Sequence, residues 1–142
     1  MTHTNITAKN SFSKVISFVI LLLVYSQTTV SQNNTQIIPD EIISALNRGD
    51  IERLTAKFDK NISLTINTLS GTYSQKEANK LISDFFTENN VENFKIVHQG
   101  GSELSCFVIG TLKTSNGSFR IYLLMRGKPL VVQQIIIGKE QQ

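Results

Sequence analysis

The chain has a single cysteine, Cys106, among 142 residues, so no disulfide can form within it and its fold must be held by packing. Its histidines are two, His3 and His98. Together with one cysteine they do not make a set of soft ligands for a transition metal, and no metal or other cofactor is expected. Two long stretches lack carboxylates: no Asp or Glu lies between Asn61 and Gln75, and none between Leu104 and Lys139. Neither stretch can supply a carboxylate as a general base. There is no phosphate-binding loop, nucleophile elbow or dinucleotide fingerprint. No stretch reaches the roughly 20 apolar residues that a membrane-spanning helix needs.

What is present begins with an address. Lys9 and Lys14 precede Val15–Tyr25, eleven residues whose apolarity only Ser17 interrupts, which is the pattern of an export signal. Small residues at Thr29 and Ser31 favour cleavage after Ser31, with Ser26 as the alternative. No cysteine adjoins the apolar run, so a lipid anchor is not expected. The sequence is therefore divided into a signal peptide at 1–31, a disordered polar lead-in at 32–36 and a single domain at 37–140. The mature protein is expected to be exported, periplasmic or extracellular, with no stable membrane span after processing. Cleavage removes two of the 14 basic side chains and none of the 11 acidic ones, leaving 12 against 11, a net charge of +1. That balance gives no basic surface for nucleic acid.

Within the domain, Asp40 is placed to cap a short helix carrying Ile42, Ile43 and Leu46, which Gly49 ends. Asp50 caps a second, with Ile51, Leu54 and Phe58 at helical spacing. Ser74-Gln75-Lys76-Glu77 is a capping box, and the helix it opens has Ala78, Leu81, Ile82, Phe85 and Phe86 on one stripe. Ile62, Leu64 and Ile66 alternate with polar residues as a half-buried strand does. Phe94, Ile96 and His98 alternate likewise, and Gly100-Gly101 is read as the turn that follows. Asn116-Gly117 is a hairpin signal. If Ser115 pairs with Ser118, Leu112 faces Ile121, Gly110 faces Leu123 and Val108 faces Met125 on an apolar surface, while Lys113 faces Arg120 on the other. A turn at Gly127-Lys128 then puts Leu130, Val132, Gln134 and Ile136 on the apolar side. Helices precede strands, which predicts an α+β fold: two short helices, one long helix and a curved antiparallel sheet, the long helix covering the sheet.

Several segments resemble the nuclear transport factor 2-like (cystatin-like) superfamily, the α+β cone that also includes ketosteroid isomerase. They are A-L-N-R-G-D at Ala45–Asp50, Y-S-Q-K-E-A at Tyr73–Ala78, D-F-F at Asp84–Phe86, H-Q-G at His98–Gly100 and G-T-L-K-T-S-N-G-S-F-R-I-Y at Gly110–Tyr122. The chain is most similar to a family of small exported bacterial proteins known as a domain of unknown function. The resemblance implies the cone and a pocket between helix and sheet. It carries no known activity.

The inner face is expected to wall an apolar pocket with Phe85, Phe86, Ile96, Val108, Ile121 and Val132, with His98 and Gln134 as its polar handles. Cys106 is placed across from His98, a pair that could form a reactive thiolate, although a lone buried Cys and a hydrogen-bonded His are the ordinary reading. On the outer face Ile109, Leu124, Tyr122 and Val131 beside Lys113 and Arg120 are expected to form an interface, suited to a homodimer. The expected function is thus a binding or structural module of the bacterial cell envelope, taking a small apolar ligand or an envelope protein. The alternative is an isomerase-, dehydratase- or hydrolase-like enzyme using His98 with Tyr73 or Tyr122.

Overall fold

A computed structural model describes residues 37–140. The expected export signal, its cleavage site and the lead-in lie outside these residues. Helix α1 spans Asp40–Arg48 and α2 spans Ile51–Thr55. Strands β1 (Phe58–Ile66) and β2 (Leu69–Ser74) follow, then α3 (Gln75–Glu88), then β3 (Val91–Ser102), β4 (Ser105–Thr114), β5 (Gly117–Arg126) and β6 (Val131–Lys139). The six strands form one sheet in the order β2-β1-β6-β5-β4-β3. All neighbours are antiparallel except β1 and β6, which run parallel. The fold is α+β, with a curved, unclosed sheet covered on one face by the helices.

The helix boundaries follow local chemistry. Gly49 ends α1 at φ 63°, a left-handed position that glycine adopts without a Cβ penalty. Asp40 is the first residue of α1, not its cap; Pro39 holds the cap position with no side-chain hydrogen bond, and Asp40 with Glu41 instead lines the positive end of the helix. The Asp50 carboxylate does cap α2, accepting from the Arg53 N–H at 3.1 Å. Phe58 is not on that helix but starts β1. There Thr55 turns its hydroxyl back onto Ile51 O at 2.8 Å, and Lys57 O accepts from the Val132 N–H at 2.7 Å, which draws the chain into the sheet. The capping box is complete. Glu77 accepts from both the Ser74 hydroxyl and the Ser74 N–H, while the Ser74 hydroxyl accepts from the Glu77 N–H.

The core lies between the helices and the inner face of the sheet. Ala78, Ile82, Phe85 and Phe86 of α3 are buried with Leu64, Val108, Leu112, Ile121, Leu123 and Ile137, among others. The Phe85 ring meets Phe119 edge-on, with centroids 5.0 Å apart. Each fully buried aliphatic side chain of this kind contributes about 1.5 to 3 kcal/mol relative to exposure, enough to hold a domain without a disulfide.

Two irregularities decide which side chains face which way. The β4–β5 turn pairs Thr114 with Gly117, so the register is Leu112 with Phe119, Gly110 with Ile121 and Val108 with Leu123. The expected pairing of Ser115 with Ser118 is displaced by two positions, which preserves both faces. On Asn116-Gly117 a type I′ turn needs positive φ at both positions and a type II′ turn at the first, whereas only Gly117 has it, at 118°. Ser115 and Asn116 are instead tied to the end of α3, Asn116 Nδ2 donating to Glu88 O at 2.6 Å and the Ser115 N–H to Asn90 O at 2.9 Å. Lys113 therefore faces Ser118, and Arg120 faces Thr111. The expected like-charge pair does not form, and Arg120 meets Glu140 at 3.0 Å.

The second irregularity is a pair of bulges. One lies in β3 between Ile96 and His98, and one in β6 opposite Leu124 and Met125. An extra residue on one strand reverses the alternation beyond it. So Phe94 and Ile96 face inward as expected, but His98 faces outward, and the same holds for Gln134 and Ile136, their inward places passing to Ile135 and Ile137. The expected turn at Gly100-Gly101 is also absent. Both glycines are in β3, and the chain reverses at Glu103 and Leu104.

Candidate functional site

The inner face does not assemble the residues expected of a pocket. Phe85, Phe86, Val108, Ile121 and Val132 are core, and Ile96 packs against them. The two intended polar handles are on the opposite face, His98 in register with Ile109 and Gln134 with Leu124. Cys106 is buried opposite Gly101, so it has no histidine across from it. Its surroundings push the thiol pKa up by desolvation, which disfavours a nucleophilic thiolate. The polar group that alternation failed to place is Gln99: beyond the β3 bulge it pairs with Val108, and its Oε1 is buried without a hydrogen-bond partner among the described residues.

The outer face gathers what the inner face does not. All six expected interface residues, Ile109, Lys113, Arg120, Tyr122, Leu124 and Val131, lie on it. The bulges add His98, Gln134 and Ile136. At its centre three rings cross three strands. His98 packs against Phe107 with centroids 5.5 Å apart, and Phe107 stacks on Tyr122 at 6.2 Å with an interplanar angle of 24°. Phe107 reaches this position over Gly100, where a Cβ would come within 3.0 Å of its ring. Tyr122 lies between Ile109 and Ile136 in register, and Ile136 keeps 37% of its surface exposed. Beside this patch Glu140 accepts from the Thr111 hydroxyl at 3.2 Å and pairs with Arg120, fixing the charged edge. The outward direction of Phe107 follows from the alternation of β4, but its ring stack was not legible, because His98 reaches this face only through the β3 bulge.

This geometry suits contact better than chemistry. His98 and Tyr122 share the face, but the Phe107 ring separates them. Tyr73 is in register with the buried Ile62, on the helix side of the sheet, and cannot join His98. Among the described residues, no group of three or more His, Cys, Asp or Glu side chains converges on a metal position. No described helix is long and apolar enough to cross a membrane.

The domain has known relatives. A family described as a domain of unknown function (DUF4783) matches residues 39–137. A DUF4783 family protein from Bacteroides ovatus is 33% identical, with a TM-score of 0.71 over 75% of this chain and 99% of its own. One from Bacteroides uniformis is 31% identical, with a TM-score of 0.70 over 74% of this chain and 99% of its own. An NTF2-like family protein from Streptomyces avermitilis, 11% identical, shares the fold with a TM-score of 0.51 over 72% of this chain and 92% of its own. No functionally curated protein matches. The NTF2-like cone and the match over residues 39–137 agree, and the chain belongs to the DUF4783 family of domains of unknown function.

Proposed function

We propose that the protein is an exported, non-catalytic binding module that associates through the outer face of its sheet, with a second copy of itself as the first partner. The observation that carries this reading is the ring stack His98–Phe107–Tyr122 among Ile109, Leu124 and Ile136. Apolar patches of this kind, edged by charge, are a recurrent feature of contact surfaces, and Tyr and Phe are enriched in them. A single exposed sheet face also suits a two-fold axis, because each copy offers the same patch. Export is supported by Lys9, Lys14 and the short apolar run that follows.

A photo-crosslinking amino acid at position 122 tests the reading in cells expressing the full chain. The expected product is a covalent homodimer whose linked peptide comes from β4, β5 or β6. Crosslinking only to another protein, or to none, would reject the self-associating face. Intact mass of the exported fraction tests the address: a chain beginning at Gln32 is expected, and a membrane-bound chain beginning at Met1 would contradict it.

A further inference from the structure

His3 and His98 are the chain's two histidines, and His98 alone lies in the described domain. The bulge in β3 sets it in the ring stack, on the face that meets a second copy in the reading above. Histidine is the side chain whose charge ordinarily changes between about pH 5 and 8. In the separate chain the imidazole is exposed to water, and it takes part in none of the ion pairs of the described residues.

The charges that share its face are of one sign. Lys95 precedes it on β3, Lys113 stands on β4, and Arg120 and Arg126 stand on β5 at either side of Tyr122. Glu140, beside the patch, is taken by Arg120 at 3.0 Å. Glu92, near the start of β3, and Glu103, in the turn beyond it, are the carboxylates closest to His98 along the chain. At about 3.3 Å per residue each is about 15 Å or more away along an extended strand. A proton on His98 therefore adds a cation to a face that has no free anion to set against it.

Water carries that charge in the separate chain, and contact between copies removes the water. Burying a charge is costly unless it is paired and hydrogen-bonded. A two-fold axis doubles the cost, because each copy brings the same His98 and the same cations to the other. The Phe107 ring, with its centroid 5.5 Å from that of His98, attracts an imidazolium, but it does so before contact as well as after, so this attraction does not offset the cost.

We propose that His98 makes the self-association sensitive to pH: the neutral imidazole completes the apolar patch, and its protonation separates the copies. This rests on the outer face being the contact between copies. The separated chains are the state that binds the protons. Association is therefore complete above the range in which histidine titrates and is lost as pH falls through it.

Sedimentation equilibrium of the purified protein at about pH 7.5 and about pH 5.5, on either side of ordinary histidine titration, tests the switch. The dimer dissociation constant is expected to rise at least about tenfold at the lower pH, toward a limit of about 100-fold when both copies take up a proton on separating. His98→Phe keeps a ring and cannot take the proton, so its constant should change by less than about twofold between the two conditions. His98→Lys carries the charge at both and should associate weakly at both. A wild type that is monomeric at both pH values would overturn the outer-face reading and the switch with it. A wild-type dimer no weaker at the lower pH, a His98→Phe variant that keeps the wild-type pH dependence or does not dimerise, or a His98→Lys variant as tight as the wild type at neutral pH would overturn the switch and leave that reading standing.

Discussion

At the scale of single residues, two positions carry more than their size suggests. Gly110 lies in the middle of β4, and a Cβ there would come within 2.3 Å of the Phe94 ring and 2.8 Å of Lys95 O. The ring fills the space that the glycine leaves. Gly110→Ala must push Phe94 off its site and is expected to cost about 1 to 3 kcal/mol, measured by denaturant unfolding. Cys106 is the second. With its thiol buried and its pKa raised by desolvation, it should resist alkylation by iodoacetamide at neutral pH in the native protein and react at once in denaturant. The raised pKa also means that the neutral thiol is the form the fold accepts. Any stability tied to it is intact below the ordinary thiol range and falls as pH rises through the folded value. The burial of Cys106 was legible, because its strand alternates cleanly. The outward turn of His98 was not, because it depends on one extra residue between Ile96 and His98 that no sequence signal marks.

At the scale of elements, α3 was the most readable part of the chain, since Ser74 and Glu77 state where it begins and its stripe states what it buries. Its cap is testable by pH. The Ser74 hydroxyl, and after it the Ser74 N–H, hydrogen-bond the Glu77 carboxylate and hold its pKa below the ordinary value. A lowered pKa contributes stability above the unfolded value that is lost as pH falls through the folded one. Acidification should therefore weaken the wild type more than Glu77→Gln in the range below ordinary glutamate titration, a difference read from unfolding curves at stepped pH. Ser74→Ala should cost about 1 kcal/mol at neutral pH. The strands were readable in number but not in facing. The run Ile135-Ile136-Ile137 assigns no face by itself, and the bulge opposite Leu124 and Met125 decides that Ile136 points outward. At the Asn116-Gly117 turn the sequence signal was local, whereas the winning interactions, from Asn116 to Glu88 O and from Ser115 to Asn90 O, come from the end of α3. Tertiary contacts of that kind leave no mark on the turn residues themselves.

At the scale of the molecule, the order of elements predicted an α+β fold with one sheet face covered by helices, and the resemblance carried by segments such as Gly110–Tyr122 implied the NTF2-like cone that the relatives show. The parallel pairing of β1 with β6 is what the linear order concealed. It brings the first hairpin to the far side of the meander and completes the six-strand face. Most of the expected pocket residues turn out to be packing, and the expected interface residues share one surface with a ring stack that the sequence did not reveal. The outer face is the centre of the functional reading, and sedimentation equilibrium of the purified protein and its Tyr122→Glu variant tests it most directly. A dimer at micromolar concentration is expected for the wild type, and a monomer with an unaltered far-ultraviolet circular dichroism spectrum for the variant. A wild type that stays monomeric at high micromolar concentration, or a variant that remains dimeric, would contradict it.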